Sequence, residues 1–131
     1  MTEARGSFDV TAWNEETYEE LDGGGKLTRA VVAQTFTGDV VGEGAVQWLM
    51  SYRRDGTAHF VGVQRVRGTL GGRSGSFLME TSGDFDGAEA SGSWTVIAGS
   101  GTGDLEGLRG TGSFRAPHGS HATFELDVEL G

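Results

Sequence analysis

The sequence contains no cysteine, a single proline and no long apolar run, and these absences exclude several classes of protein. Without cysteine the chain has no disulfide framework, no zinc–thiolate centre and no cysteine nucleophile. Every apolar run is shorter than the roughly 18 residues that a membrane-spanning helix needs. The first residues, MTEARGSFDVTAW, lack the basic region followed by an apolar segment that marks a signal peptide, so we expect a cytoplasmic protein.

Basic residues are also scarce. The chain has 10 lysines and arginines against 19 aspartates and glutamates, which gives a formal net charge of −9. Nucleic acids and anionic membrane surfaces both attract basic proteins, so we expect neither as a partner. Acidity of this size commonly keeps a small domain soluble.

Glycine, in contrast, is abundant, with 24 residues in a chain of 131. The glycines are dispersed between short runs rich in β-branched and aromatic residues, a pattern that predicts many short strands joined by tight turns. The length suits one domain, residues 1–131, with a single packed core. We expect little or no helix.

Alternating segments predict about eight antiparallel strands, at residues 7–13, 27–36, 42–53, 58–68, 75–85, 89–99, 110–116 and 121–130. The acidic stretch between the first two is interpreted as a solvated connection. Such strands form either a two-layer sandwich or a closed barrel. The closed antiparallel barrel is favoured because closure removes edge strands, and an eight-stranded barrel is just wide enough for side chains or one small ligand.

The segment GSGTGDLEGLRGTG, residues 99–112, is too rich in glycine to be an ordinary strand. It lacks the lysine of a phosphate loop and the spacing of a dinucleotide fingerprint, and only Asp104 and Glu106 could supply calcium ligands. We therefore predict a strand end, a short turn capped by Asp104, and a new strand. Leu105 and Leu108 would plug one end of the barrel.

The segments FVGVQRVRGTLGGRSGSF and GSWTVIAGSGTGDLEGLRGTGSF resemble an uncharacterised bacterial family of small proteins with an allene-oxide-cyclase-like β-barrel. More remotely, GSGTGDLEGLRG is similar to the glycine-rich corner of plant dirigent proteins and allene oxide cyclases. The resemblance implies an eight-stranded barrel and is compatible with a homo-oligomer. It supplies no catalytic residues. In the remote relatives the barrel holds an apolar reactive intermediate and steers its cyclisation or coupling mostly by shape.

Polar and aromatic residues share the apolar faces of the predicted strands, which is the composition of a small-molecule pocket. The candidate ligand-binding residues are Gln34, Trp48, Tyr52, Phe60, Gln64, Phe77 and Trp94. The rings would form walls, while Gln34 and Gln64 would orient a carbonyl or hydroxyl group. Inward-facing Gly62 and Gly92 would leave volume. The alternative is a filled core in which the polar groups bond to backbone or water.

Other chemistry has less support, and no catalytic residue is assigned. The chain has no GxSxG motif. His118 and His121 have a spacing that suits a metal but lack an evident third ligand, so we expect no metal and no cofactor. The carboxylates of residues 84–89 straddle a turn, where acidic residues are common. Arg73 and Arg109 are expected to pair with surface acids.

The sequence therefore predicts a small β-barrel that binds a compact apolar or aromatic molecule in its interior. It would act either by binding alone or as an isomerase or cyclase that confines its substrate in a reactive pose. The alternative is a non-catalytic binding or assembly module with a filled core, whose function lies in an oligomeric surface.

Overall fold

The computed structural model describes residues 2–117 and 121–130, and these form a closed antiparallel barrel of eight strands. Each strand pairs with the next along the chain, and the first pairs with the last. The closed barrel that the sequence favours is confirmed, and the alternative two-layer sandwich is excluded. The strands are β1 (Thr2–Glu20), β2 (Lys26–Gly38), β3 (Val40–Tyr52), β4 (Ala58–Leu70), β5 (Arg73–Phe85), β6 (Ala90–Val96), β7 (Leu108–Ala116) and β8 (His121–Leu130).

Strand β1 is much longer than the sequence predicts. The acidic stretch interpreted as a connection continues β1 as far as Glu20, which lies opposite Lys26 of β2. That interpretation was wrong because pairing with β2 outweighs the weak strand preference of glutamate. The connection itself is confined to residues 21–25, closed by a 2.8 Å hydrogen bond from the backbone N–H of Leu21 to the carbonyl of Gly25.

A register shift in β1 between Val10 and Ala12 reverses the faces of the strand. Before the shift, Phe8 is buried and Val10 is half-buried, as the alternation predicts. After it, Ala12 is exposed, contrary to the prediction, and the odd-numbered positions turn towards the interior. One extra residue in a strand always has this effect, since side chains alternate with a period of two.

The middle of the barrel is packed with rings. Phe8 lies 5.2 Å from Phe36, and Trp94 lies 5.3 Å from Phe114, measured between ring centroids. The glycines expected to leave volume do not, because rings cover them. A Cβ atom on Gly62 would lie 2.8 Å from Cδ1 of Trp48, and one on Gly92 would lie 2.7 Å from Cε1 of Phe114.

One end of the barrel is plugged by the glycine-rich segment. As predicted, β6 gives way to a short turn, a 3₁₀ helix at Gly103–Leu105, and then β7. Leu105 and Leu108 are each only 1% exposed. Asp104 does not cap the turn. Thr102 precedes it instead, and the hydroxyl oxygen of Thr102 accepts a 3.0 Å hydrogen bond from the backbone N–H of Ser76.

Within the described residues, the structure contains no helix long and apolar enough to cross a membrane.

Candidate functional site

A cavity of about 390 Å³, here called the end cavity, lies at the end of the barrel opposite the plug. The β3–β4 hairpin, residues 53–57, and the β5–β6 hairpin, residues 86–89, belong to the same end. The wall is mostly aromatic and includes Phe8, Trp13, Trp48, Tyr52, Phe60, Phe85 and Phe114. The cavity is therefore an apolar space in a protein whose net charge is strongly negative.

Small side chains create this space. Ala90 and Ala116 lie opposite each other on β6 and β7, and both line the end cavity. At the plugged end, leucines such as Leu105 and Leu108 fill the equivalent volume. Because an eight-stranded barrel is wide enough to need large side chains at every level, alanines at one level leave a cavity.

The floor of the cavity is buried and its rim is partly exposed. Trp48 and Phe60 are buried, with ring centroids 5.1 Å apart. Trp13, which contacts Trp48 at 5.8 Å, is 47% exposed, and Tyr52 and Phe85 are half-buried. The indole N–H of Trp48 is buried and has no hydrogen-bond partner within the described part of the chain.

A carboxylate adjoins the rim. Glu15, half-buried on β1, accepts hydrogen bonds through Oε2 from the Tyr52 hydroxyl at 2.8 Å and the Thr28 hydroxyl at 2.7 Å. Its Oε1 accepts a third from the indole N–H of Trp13 at 3.0 Å. The register shift in β1 makes this cluster, because it turns Trp13 and Glu15 to the side where Thr28 and Tyr52 lie.

The cluster fixes the protonation states of its members. Burial alone would raise the pKa of Glu15, but the hydrogen bonds from Thr28, Tyr52 and Trp13, with the charge of Lys26, hold it below its ordinary value. Burial, the hydrogen bond to Glu15 and the negative charge of that residue raise the pKa of the Tyr52 phenol well above its ordinary value. At neutral pH, Glu15 is therefore ionised and Tyr52 is a donor.

The structure brings together three of the seven predicted site residues. Trp48, Tyr52 and Phe60 line the end cavity. Gln34, Gln64, Phe77 and Trp94 are buried in the packed part of the barrel, outside the cavity lining. The two amides bind each other, with Nε2 of Gln64 donating to Oε1 of Gln34 at 2.6 Å.

Sequence reasoning missed Trp13 and Glu15 as site residues. Both lie in or beside the stretch interpreted as a solvated connection, and the regular alternation of β1 would have placed Trp13 on the outer face. The available signal was the tryptophan itself, because a large ring on a predicted solvent face is uncommon.

Of the other sequence candidates, His118 lies outside the described residues, and His121 lies 2.8 Å from Asp9, from Nδ1 to Oδ1. Residues 2–117 and 121–130 contain no group of three or more metal-ligating side chains. Arg109 pairs with Glu129 at 3.7 Å, as expected, whereas Arg73 has no ion pair within the described ranges.

The acidic turn at residues 84–89 is explained by local structure. Oδ1 of Asp86 accepts hydrogen bonds from the backbone N–H groups of Ala88 at 2.9 Å and Glu89 at 2.8 Å. The carboxylate of Glu89 in turn binds Arg115 at 2.8 Å. These carboxylates stabilise the turn and a surface ion pair.

The outer face of the barrel carries a second feature, an exposed apolar area called here the outer patch. It is formed by Val31, Ala45, Leu49, Val61, Val63 and Leu78. Four of these side chains are 43–51% exposed. Contiguous apolar surface of this kind commonly marks an interaction site.

Fold and cavity together define a class of protein, the small closed antiparallel β-barrels with an apolar cavity at one end. The model of a family of proteins of unknown function, DUF3224, matches residues 4–128, and the chain belongs to this family. The bacterial family indicated by the two glycine-rich segments is thereby confirmed.

A crystal structure of a DUF3224 protein with unknown function from Shewanella oneidensis MR-1 is similar to this chain throughout. The TM-score is 0.85 and the sequence identity 28%, over 100% of this chain and 98% of the other. No curated protein matches the chain.

Proposed function

We propose that the barrel binds a compact apolar or aromatic small molecule in the end cavity. The observation that carries the proposal is a space of about 390 Å³ with a mostly aromatic wall and a hydrogen-bonding cluster at its rim. Small-molecule sites are typically roughly 300–1,000 Å³, mainly apolar, with a few placed polar groups.

The aromatic lining of the cavity determines the free energy of binding that such a ligand gains. Trp48, Phe60 and Phe114 offer apolar surface. Gln34 and Gln64, to which the sequence assigned the orienting role, lie outside the cavity lining. A ligand of about ten non-hydrogen atoms would gain roughly 3–7 kcal/mol, which corresponds to a Kd between about 6 mM and about 10 µM.

Catalysis by this barrel would depend on confinement of the substrate in the end cavity. The similarity of the glycine-rich corner to allene oxide cyclases and dirigent proteins supports isomerisation or cyclisation of a folded substrate. Glu15 is the carboxylate beside the cavity, and its lowered pKa makes it a weak base. Holding the substrate in one reactive pose is therefore a better-supported source of rate than proton transfer.

Binding of benzyl alcohol, a neutral aromatic probe, tests the proposal. We expect a saturable change in tryptophan fluorescence and a higher melting temperature. The variant Ala116→Phe should fill the cavity and abolish both effects. Thr111→Phe, which adds the same ring at an exposed position of the same strand, should leave both unchanged. Absence of saturable binding of benzyl alcohol and of its analogues benzylamine and benzoate to the wild-type protein up to about 20 mM, above the weakest expected Kd, would refute the proposal.

A second candidate function, assembly with a second copy of the chain, is favoured by the outer patch. Arg65 and Glu80 lie beside the patch, so a two-fold arrangement would set the arginine of each copy against the glutamate of the other. The chain has a net charge of −9, so acidic faces of two copies would repel each other. The apolar patch is a surface at which two copies would meet without that repulsion.

Sedimentation velocity of the wild-type protein and of Val63→Lys tests this assembly. We expect a dimer in the first case and a monomer in the second. A control variant, Thr111→Lys, adds the same charge on β7, away from the patch, and should remain a dimer. A wild-type protein that is monomeric at about 100 µM would contradict the assembly, because functional dimers are stable well below that concentration.

A further inference from the structure

The end cavity adjoins a charge that its walls hold in place. Trp13 and Tyr52 both line the cavity, and both donate hydrogen bonds to Glu15, at 3.0 Å and 2.8 Å. The carboxylate therefore lies one hydrogen bond away from the cavity wall. It places a negative charge of the protein next to the space that a ligand would occupy.

The carboxylate keeps capacity for another donor. An ionised carboxylate offers about four acceptor positions. Thr28 and Tyr52 occupy two on Oε2, whereas Oε1 has a single donor, the indole of Trp13. Oε1 therefore retains acceptor capacity for a further N–H donor.

Two other carboxylates at this end of the barrel are paired with arginine. Asp84 lies 3.7 Å from Arg53, and Glu89 lies 2.8 Å from Arg115. Glu15 has no such ion pair within the described part of the chain. The nearby cation is Lys26, whose Nζ lies over the ring of Tyr52, 5.1 Å from the centroid.

Aromatic faces beside a carboxylate that has no direct ion pair in the described part of the chain form a site for a cation. Ring faces attract ammonium groups, and tryptophan does so best. Trp13 and Trp48 stand 5.8 Å apart on the cavity wall, and Lys26 already uses the ring of Tyr52 in this way. An anionic ligand would instead meet the charge of Glu15 and the net charge of the chain, −9.

We infer that the end cavity selects aromatic or apolar amines in their protonated form, with the ammonium group bound to Oε1 of Glu15 and the apolar body among the rings. This inference rests on the proposed binding function and names its ligand class. Phenols, fatty acids and other neutral or anionic apolar molecules are the competing classes.

Three probes of nearly equal shape distinguish the classes: benzylamine, which is protonated at pH 7, benzyl alcohol and benzoate. We expect benzylamine to bind roughly tenfold more tightly than benzyl alcohol, as an ion pair with added ring contacts would give. Benzoate should bind more weakly than either. Isothermal titration or ligand-observed NMR gives the three affinities.

The variant Glu15→Gln keeps the size of the side chain and removes the charge. It should weaken benzylamine binding roughly tenfold and change benzyl alcohol binding by less than about threefold. Glu16→Gln, at the adjacent exposed position, makes the same change in net charge and should alter neither affinity.

A measurement on the wild-type protein covers the case in which Glu15→Gln does not fold. Raising the NaCl concentration from about 20 mM to about 500 mM should weaken benzylamine binding and leave benzyl alcohol binding nearly constant, because salt screens the ion pair only.

Equal affinities for benzylamine and benzyl alcohol, or an equal response to salt, would overturn the inference and leave the proposed binding function standing. Failure of all three probes to bind would refute the binding function itself.

Discussion

The hydroxyl group of Tyr52 donates a hydrogen bond of 2.8 Å to Oε2 of Glu15 and so joins the end of β3 to the middle of β1. This contact lies across β2, the strand that separates the two. It links the rim residues of the end cavity, because Trp13 donates a hydrogen bond to the same carboxylate. We derive the first two predictions from it.

The first prediction concerns the variant Tyr52→Phe, which removes the hydroxyl and keeps the ring. Loss of a donor should move the pKa of Glu15 up towards its ordinary value and destabilise the fold by about 1–2 kcal/mol, as for a partly exposed hydrogen bond to a charged group. NMR titration of the Glu15 carboxyl carbon and urea unfolding measure the two effects. Tyr18→Phe, at a side chain that is 56% exposed, is the control and should change neither.

The second prediction is the pH dependence of stability. The pKa of Glu15 is lower in the folded than in the unfolded protein, so the contribution of this residue is present above the unfolded pKa and is lost as the pH falls through the folded one. The pKa of Tyr52 is raised on folding, so its contribution is present below the unfolded pKa and is lost as the pH rises through the folded one.

Unfolding free energies of the wild-type protein and Glu15→Gln, measured from pH 3 to pH 8, check the acidic limb. The difference between the two proteins should shrink as the pH falls. A difference that stays constant across this range would show that Glu15 has the same pKa in both states.

The third prediction uses the buried amide pair. Gln64→Leu leaves Oε1 of Gln34 without its donor and should destabilise the protein by about 1–3 kcal/mol. The double variant with Gln34→Leu should lose less than the sum of the two single variants, since it leaves no orphaned group. Binding of benzyl alcohol should be unchanged, because both amides lie outside the cavity lining.

The fourth prediction compares two methionines. Met79 is fully buried in the packed part of the barrel, whereas Met50 lines the end cavity. Met79→Ala should cost about 2–5 kcal/mol, and Met50→Ala should cost less, since part of its surface already adjoins empty space. Urea unfolding measures both, and an equal loss would indicate that the end cavity is filled in solution.

The fifth prediction concerns Gly92, which faces the ring of Phe114. The Cβ atom of Gly92→Ala would collide with the backbone carbonyl oxygen of Ser82 and with that ring, so we expect a loss of about 1–3 kcal/mol, as for other overpacked sites. Ser93→Ala, at the exposed neighbouring position, is expected to have an effect within about 0.5 kcal/mol.

The sequence was sufficient for the closed barrel, the short turn before β7 and the plug of Leu105 and Leu108. These depend on local alternation and glycine spacing, which a sequence displays directly. It was insufficient for Glu15, because a single extra residue in β1 reverses the side chains as far as the second register shift after Thr17 and leaves no mark of its own in the alternation.

The candidate site was predicted only in part for a related reason. Trp48, Tyr52 and Phe60 share the predicted inner face and also lie at the level of the end cavity. Phe77 and Trp94 share the same face at another level, where the interior is full. Strand alternation indicates whether a residue faces the interior or the solvent. The position of that residue along the barrel axis depends on the stagger between strands.

The plug at Leu105 and Leu108 gives the barrel the form of a cup. A small molecule bound in the end cavity, as proposed, would leave through the end opposite the plug, where the rim includes Trp13 and Tyr52. The residence time of a bound molecule would then depend on the hydrogen bonds that Trp13 and Tyr52 donate to Glu15. Weakening these bonds would change the dissociation rate more than the number of molecules bound.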